Sequence, residues 1–302
     1  MKHLLLVVNP VSGDVDKEPF LKQAEALLKK YGLAHSVFKT TGKNDAEKLQ
    51  AQVAEVSPDR IGVVGGDGTV LFTAMALRDH NLPLGIIPMG SANGLATELG
   101  VPKEPKKALL DLLLSEYTAP LDMLSVNEEH YCLHLGDVGV NANIVAAYEQ
   151  DDNRGMATYA RYFIEELKNL DPFPVKVTTE EETVETEGVM VALCNARKYG
   201  TGIPLNTVGN PLDGKFEVVI IERVDFMTLV NLGLSKFDER FFDHQQGKVL
   251  QTTEATIRFD QARQLQLDGE VIDTVEELRV KLVPGAITLI THRDNPYFEP
   301  KA

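Results

Sequence analysis

The sequence predicts an α/β protein with an N-terminal parallel α/β domain and a second, β-rich domain with antiparallel strands. Two patterns carry this expectation. Apolar strand-like runs alternate with helical periodicities through about residue 100, as in a parallel sheet covered on both faces. Further on, short strand-like runs follow in quick succession. One of them, Leu278-Arg279-Val280-Lys281-Leu282, alternates strictly, as a strand buried on one face does. The expected division gives residues 1–120 to the first domain, with 287–302 returning to it, and residues 121–286 to the second.

The elements follow in order. "HLLLVV" reads as a fully buried strand, ended by Asn9-Pro10 and Ser12-Gly13. In "KEPFLKQAEALLKKY" the apolar residues Phe20, Leu21, Ala24, Leu27, Leu28 and Tyr31 recur at helical spacing, and Gly32 stops the helix. "AHSVFKTT" is a second strand, "DAEKLQAQVAEV" a second helix and "RIGVVGG" a third strand. The helix "TVLFTAMALRDH", the strand "PLGIIP" and a helical stretch near "NGLATEL" complete the alternation. The pattern changes near Pro120-Leu121-Asp122. Beyond it "YCLHLGDVGV", "FPVKVTTE", "VMVALCNA", "FEVVIIERV", "EATIRFD", "RQLQLDGE" and "LRVKLV" are strands, interrupted by the helices "MATYARYFIEELKNL" and "FMTLVNLGLSKF". The last apolar run is "AITLIT". The acidic stretch at 179–188 reads as a solvated hairpin, because like charges do not pack together cheaply.

Composition excludes some classes of function. The 302 residues are 43% hydrophobic and 25% charged, an ordinary balance in a chain long enough for two cores. A net charge of −15 argues against a broad electrostatic grip on nucleic acid, so no nucleic-acid partner is expected. Cys132 and Cys194 sit in apolar runs without metal-ligand spacing, which suits buried free thiols in a reducing compartment. No run reaches membrane-spanning length, and the apolar run in "MKHLLLVVNP" is too short for a signal peptide. The expectation is a cytoplasmic protein that meets a membrane only transiently.

Three loops carry the chemistry. Gly65-Gly66-Asp67-Gly68-Thr69 follows the third strand. Its glycines let backbone amides approach a phosphate, and the helix after it offers N–H groups. The spacing is neither G-x-G-x-x-G nor a P-loop, since no Lys-Ser/Thr follows. Asp67 would repel phosphates unless a divalent cation, Mg²⁺ for preference, lay between; a tight turn with a solvated Asp is the plain alternative. Asn9-Pro10-Val11-Ser12-Gly13 closes the first strand and "PMGSANG", residues 88–94, closes the fourth. In an open parallel sheet such loops converge on one crevice.

These loops, in this order and spacing, resemble the diacylglycerol kinase catalytic domain family, which includes bacterial soluble lipid kinases and, more distantly, sphingosine and ceramide kinases. "GDVGVNANIV", "CNARKYGTGIPLNTVGNPLDGKFEVVII" and "LQLDGE" resemble its second-domain motifs, so the likeness runs over essentially the whole chain. The resemblance implies a phosphofructokinase- and NAD-kinase-like first domain and transfer of phosphate from ATP to a lipid hydroxyl with Mg²⁺. It gives the nucleotide side Asn9, Ser12, Thr40, Gly65, Gly66, Gly68, Thr69, Ser91 and Asn93. Asp67 would organise Mg²⁺, and Asp213 in "PLDGKF" would bind a second, structural ion. Glu270 in Asp268-Gly269-Glu270 is the implied general base, a plain Asp-Gly hairpin being the alternative. The acceptor is a lipid at a membrane surface, diacylglycerol or a relative, and a second copy of the chain is a candidate partner. One departure is Gly94, where many bacterial members have Asp. An NAD kinase is the competing enzyme, although no "GSTAY"-like loop is present; a non-catalytic nucleotide- or lipid-binding regulator is the reading from another class. "YARYFIEEL" and Phe241-Phe242 could line an acyl groove, though an aromatic stripe is more often core.

Overall fold

The computed structural model describes residues 2–139, 171–199, 203–222 and 247–299. The helices expected at 156–170 and 226–237, Phe241-Phe242 and parts of the motifs at 136–145 and 194–221 lie outside the described residues. The chain divides into two compact units, Met1–Leu121 with Pro284–Ala302, and Asp122–Val283.

Unit 1 alternates strand and helix: β1 (His3–Val8), α1 (Glu18–Lys30), β2 (Ala34–Lys39), α2 (Asp45–Val56), β3 (Arg60–Gly65), α3 (Asp67–Leu77), β4 (Leu84–Pro88), α4 (Gly94–Glu98) and α5 (Pro105–Leu114). β1 lies between β2 and β3 and β3 pairs with β4, all parallel, giving the order 2-1-3-4. Leu4, Leu6 and Val8 pack with Phe20, Ala24 and Leu28 of α1 and Ala108, Leu109 and Leu112 of α5. Leu5 and Val7 point the other way and are as fully buried. Period-two side chains buried on both faces explain why β1 is a continuous apolar run rather than an alternating one. Pro19 and Pro105 open α1 and α5, where a missing N–H costs nothing.

Unit 2 is antiparallel. It takes the second half of β5 (Tyr117–Val126), then β6 (His130–Cys132), β7 (Leu135–Val138), β8 (Phe173–Thr179), β9 (Thr183–Gly188), β10 (Met190–Cys194), β11 (Lys198–Tyr199), β12 (Ile203–Pro204), β13 (Phe216–Ile221), β14 (Gly247–Thr252), β15 (Glu254–Leu267) and most of β16 (Glu270–Thr291). The strand order β14-β13-β10-β7-β15-β16 is extended by the β8–β9 hairpin, attached through β8 to β15. The runs "EATIRFD" and "RQLQL" are one strand, β15, with a register shift between Arg258 and Arg263. Its first half pairs with β8 and its second with β7. Bulges of this kind bend a strand so that it can serve two neighbours. Likewise "LRVKLV" and "AITLIT" are parts of one strand, β16, that ends in unit 1. The stretch at 179–188 forms the turn and second strand of the β8–β9 hairpin, with its charged residues turned outward.

Candidate active site

Three loops leave the carboxyl ends of β1, β3 and β4. The chain runs from β1 to one side of the sheet and from β3 to the other, so β1 and β3 form the switch point where open α/β sheets leave a crevice. Asn9 ends β1: its amide donates to the Val64 carbonyl at 3.2 Å, and its side-chain oxygen accepts from the Val11 amide at 3.2 Å. That is an Asx turn, which an Asn can form locally. Ser12 Oγ then accepts from the Gly66 amide at 3.1 Å and ties the first loop to the second. Gly65 is the last residue of β3 and accepts from the Met89 amide at 2.9 Å, tying the second loop to the third.

The third loop is closed by Asn93. Its side chain accepts from the Gly90 amide at 2.8 Å and donates to the Gly90 carbonyl at 2.7 Å, while its own backbone is left-handed, with φ at 54°. Asp67, half-buried in the first turn of α3, accepts from the Gly94 amide at 2.8 Å and the Leu95 amide at 3.0 Å, the first residues of α4. The backbones are in direct contact. A Cβ at Gly90 would fall 2.3 Å from Gly66 Cα, and one at Gly13 would fall 2.7 Å from the Gly90 carbonyl carbon. Glycine is required where these loops meet, because any side chain would push them apart.

Of the other residues named from sequence, Gly68 and Thr69 lie in the first turn of α3 and Ser91 is exposed in the third loop. Thr40 follows β2, and its amide donates to the Val8 carbonyl at 2.9 Å. Asp45, which sequence reasoning missed, holds the segment that follows Thr40 by accepting from the Thr41 and Gly42 amides at 2.8 and 2.7 Å.

Glu270 and Asp213 belong to unit 2. Asp268 and Gly269 have φ of 49° and 85°, positive at both positions as a two-residue type I′ turn requires, and Glu270 is exposed at the start of β16. Yet the turn is anchored. The Asp268 carboxylate accepts from the amides of Leu133 (2.8 Å), His134 (2.9 Å) and Leu135 (3.1 Å) and from the Cys132 thiol (3.2 Å). Burial, and then the Asp268 charge beside it, push the Cys132 thiol well above its ordinary value, so it stays protonated. Cys194 is likewise buried and in no disulfide.

Asp213 is exposed in the loop before β13, and its carboxylate accepts from the Lys215 amide at 3.0 Å. The next residue, Gly214, donates to the buried carboxylate of Asp122 at 2.8 Å. Glu217 on β13 is fully buried: one oxygen accepts from Gln251 at 2.9 Å and the other has no partner. Burial pushes its carboxyl up to about 7. Asp122 and Glu217 were also missed from sequence, although an acid inside "FEVVII" is itself a signal.

A Mg²⁺ ion shared with nucleotide phosphates needs only one or two carboxylates, because it keeps several of its waters. Asp67, facing glycine loops, suits that role. Among the described residues no cluster of three or more His, Cys, Asp and Glu could cage an ion.

The "Diacylglycerol kinase catalytic domain" family model matches residues 3–126, and the "YegS C-terminal NAD kinase beta sandwich-like domain" model matches residues 137–291. The chain belongs to this family of lipid kinases. A Xanthomonas oryzae pv. oryzae protein named "Probable lipid kinase YegS-like" is 27% identical over 311 residues, covering 97% of each chain. A Bacillus subtilis "Diacylglycerol kinase" is 24% identical over 277 residues, covering 89% of this chain and 90% of its own. A solved structure of a diacylglycerol kinase from Bacillus anthracis str. Sterne matches in fold with a TM-score of 0.77 at 24% identity, over 97% of this chain and 98% of that one. All three glycine loops of the lipid kinase fall in the catalytic-domain match, and Asp213 and Glu270 fall in the second. No helix among its described residues is long and apolar enough to cross a membrane.

Proposed function

We propose that this lipid kinase transfers the γ-phosphoryl group of ATP to the hydroxyl of diacylglycerol or a related lipid presented at a membrane surface. The observation that carries the reading is the contact among three glycine loops at the switch point of a parallel sheet. They bring the Ser12 hydroxyl together with the first turn of α3, whose positive end suits a polyphosphate. Bound there, Mg²⁺ neutralises and orients the phosphate oxygens; Asp67 would hold it, partly through water. Asp213 would hold a second ion. Glu270 accepts the proton of the attacking lipid hydroxyl as the new P–O bond forms and the bond from the γ-phosphorus to the bridging oxygen breaks, releasing ADP. Transfer of this kind depends mainly on positioning and charge neutralisation, so few further groups are needed.

The test is transfer of labelled phosphate from ATP to a panel of lipids in mixed micelles, with and without Mg²⁺. Glu270→Gln is expected to lower kcat by about 10²–10⁴-fold with the KM for ATP little changed, and Asp67→Ala to abolish transfer. Unaltered turnover in either variant would remove that residue from the mechanism. The description of the matched second domain as NAD-kinase-like keeps one other acceptor in play, so NAD belongs in the panel.

A further inference from the structure

Lysine is almost never fully buried without a partner, yet Lys17 is only 3% exposed. Its ammonium donates to the Ser12 carbonyl and, at 2.8 Å, to the Val15 carbonyl. Those two carbonyls bracket Gly13 and Asp14, with φ of 65° and 48°. Two successive left-handed residues, one of them not glycine, form a conformation that a loop does not keep unaided. The same loop supplies the Ser12 hydroxyl that holds the Gly66 amide, and its Gly13 lies against Gly90. Lys17 thus braces the loop that itself touches the other two, and it brings a positive charge to that loop in a chain of net charge −15.

We propose that Lys17 is a positioning residue of the phosphoryl-donor site. Its ammonium clasps the Ser12 and Val15 carbonyls and holds the first loop in the shape that receives the nucleotide phosphates. The role rests on the lipid kinase reading of the glycine loops, and no covalent step is asked of the residue.

The experiment compares the full-length protein with Lys17→Met and Lys17→Arg. Hydrogen exchange without nucleotide reads the clasp directly: exchange of the amides at 12–16 is expected to rise about tenfold or more in Lys17→Met, the scale expected when one charged hydrogen-bonded tether is lost. Steady-state kinetics read its consequence. The KM for ATP is expected to rise about tenfold in Lys17→Met, with the KM for the lipid unchanged and Arg restoring most of the loss. Thermal melting accompanies both. Unchanged exchange at 12–16, an unchanged KM for ATP in a folded variant, or equal loss toward both substrates with a collapsed melting temperature would each overturn the proposal. Raised exchange in a protein that binds no ATP even as wild type would keep the clasp and discard the nucleotide reading, so the two failures are distinct.

Discussion

Glu217 is a carboxyl set in an apolar strand, and its energetics have a definite sign. Unfolded, it ionises near its ordinary value of 4.5; folded, burial holds the proton up to about 7. Between those values the folded state carries a proton that the unfolded state has lost, so stability falls as pH rises through that window and is level above it. The penalty is on the order of 3–4 kcal/mol at most, by the equivalence of roughly 1.4 kcal/mol per pKa unit. Glu217→Gln keeps a group that can bond Gln251 and removes the charge. The variant is expected to melt with little pH dependence between about pH 5 and 7, and to be more stable than wild type at pH 8. A melting profile as steep as that of wild type would show that another group carries the effect. Residues of this kind show how far the site could be read in advance. Gly65, Gly66 and Asp67 mark a glycine loop at a strand end by adjacency alone. That Asp67 reaches Gly94 and Leu95, or that Asp268 collects three amides from 133–135, depends on partners distant in sequence, which no local pattern encodes.

At the scale of elements, what the sequence reveals follows from periodicity. β1, β3 and β4 are continuous apolar runs because both their faces are covered, and α1 and α2 show helical spacing because only one face is. α5 is not evident in the sequence, although "PKKALLDLLL" opens with proline, because its apolar residues are too dense to display a clean stripe. β15 and β16 each read as separate shorter strands in the sequence, since a bulge and a Pro-Gly step look like turns when the pairing partners are unknown. Yet α5 matters. Leu112 is 3% exposed and packs in the cluster with α1 and β1, and its carbonyl accepts from Arg60 at 2.6 Å. Leu112→Ala should cost about 2–5 kcal/mol, the range for emptying such a site. Urea unfolding would measure it; a loss below about 1 kcal/mol would mean that α5 collapses onto the vacated space.

For the molecule as a whole, the chain enters unit 2 between Leu121 and Asp122 and leaves it between Val283 and Pro284, so residues 284–302 complete a unit begun at the other end of the sequence. Leu289 pairs beside Leu84 of β4, Ile290 joins the core formed by α1, α5 and β1, and the Thr291 carbonyl accepts from Ser115. Without this segment β4 would become an edge with unpaired N–H and C=O groups, which invites association with other chains. The buried apolar side chains Ile287, Leu289 and Ile290 would go with it, worth about 1.5–3 kcal/mol each, against a total stability of only about 5–15 kcal/mol for a typical domain. A chain ending at residue 283 is therefore expected to lose the cooperative melting of unit 1 and to aggregate. A peptide of residues 284–302 added in trans should recover part of the transition. Calorimetry with size-exclusion chromatography would decide it: a truncated protein that stays monomeric and melts within a few degrees of the full chain would mean that β1, β3 and β4 hold the glycine loops unaided. The closing segment would then owe its place to something other than the stability of the fold.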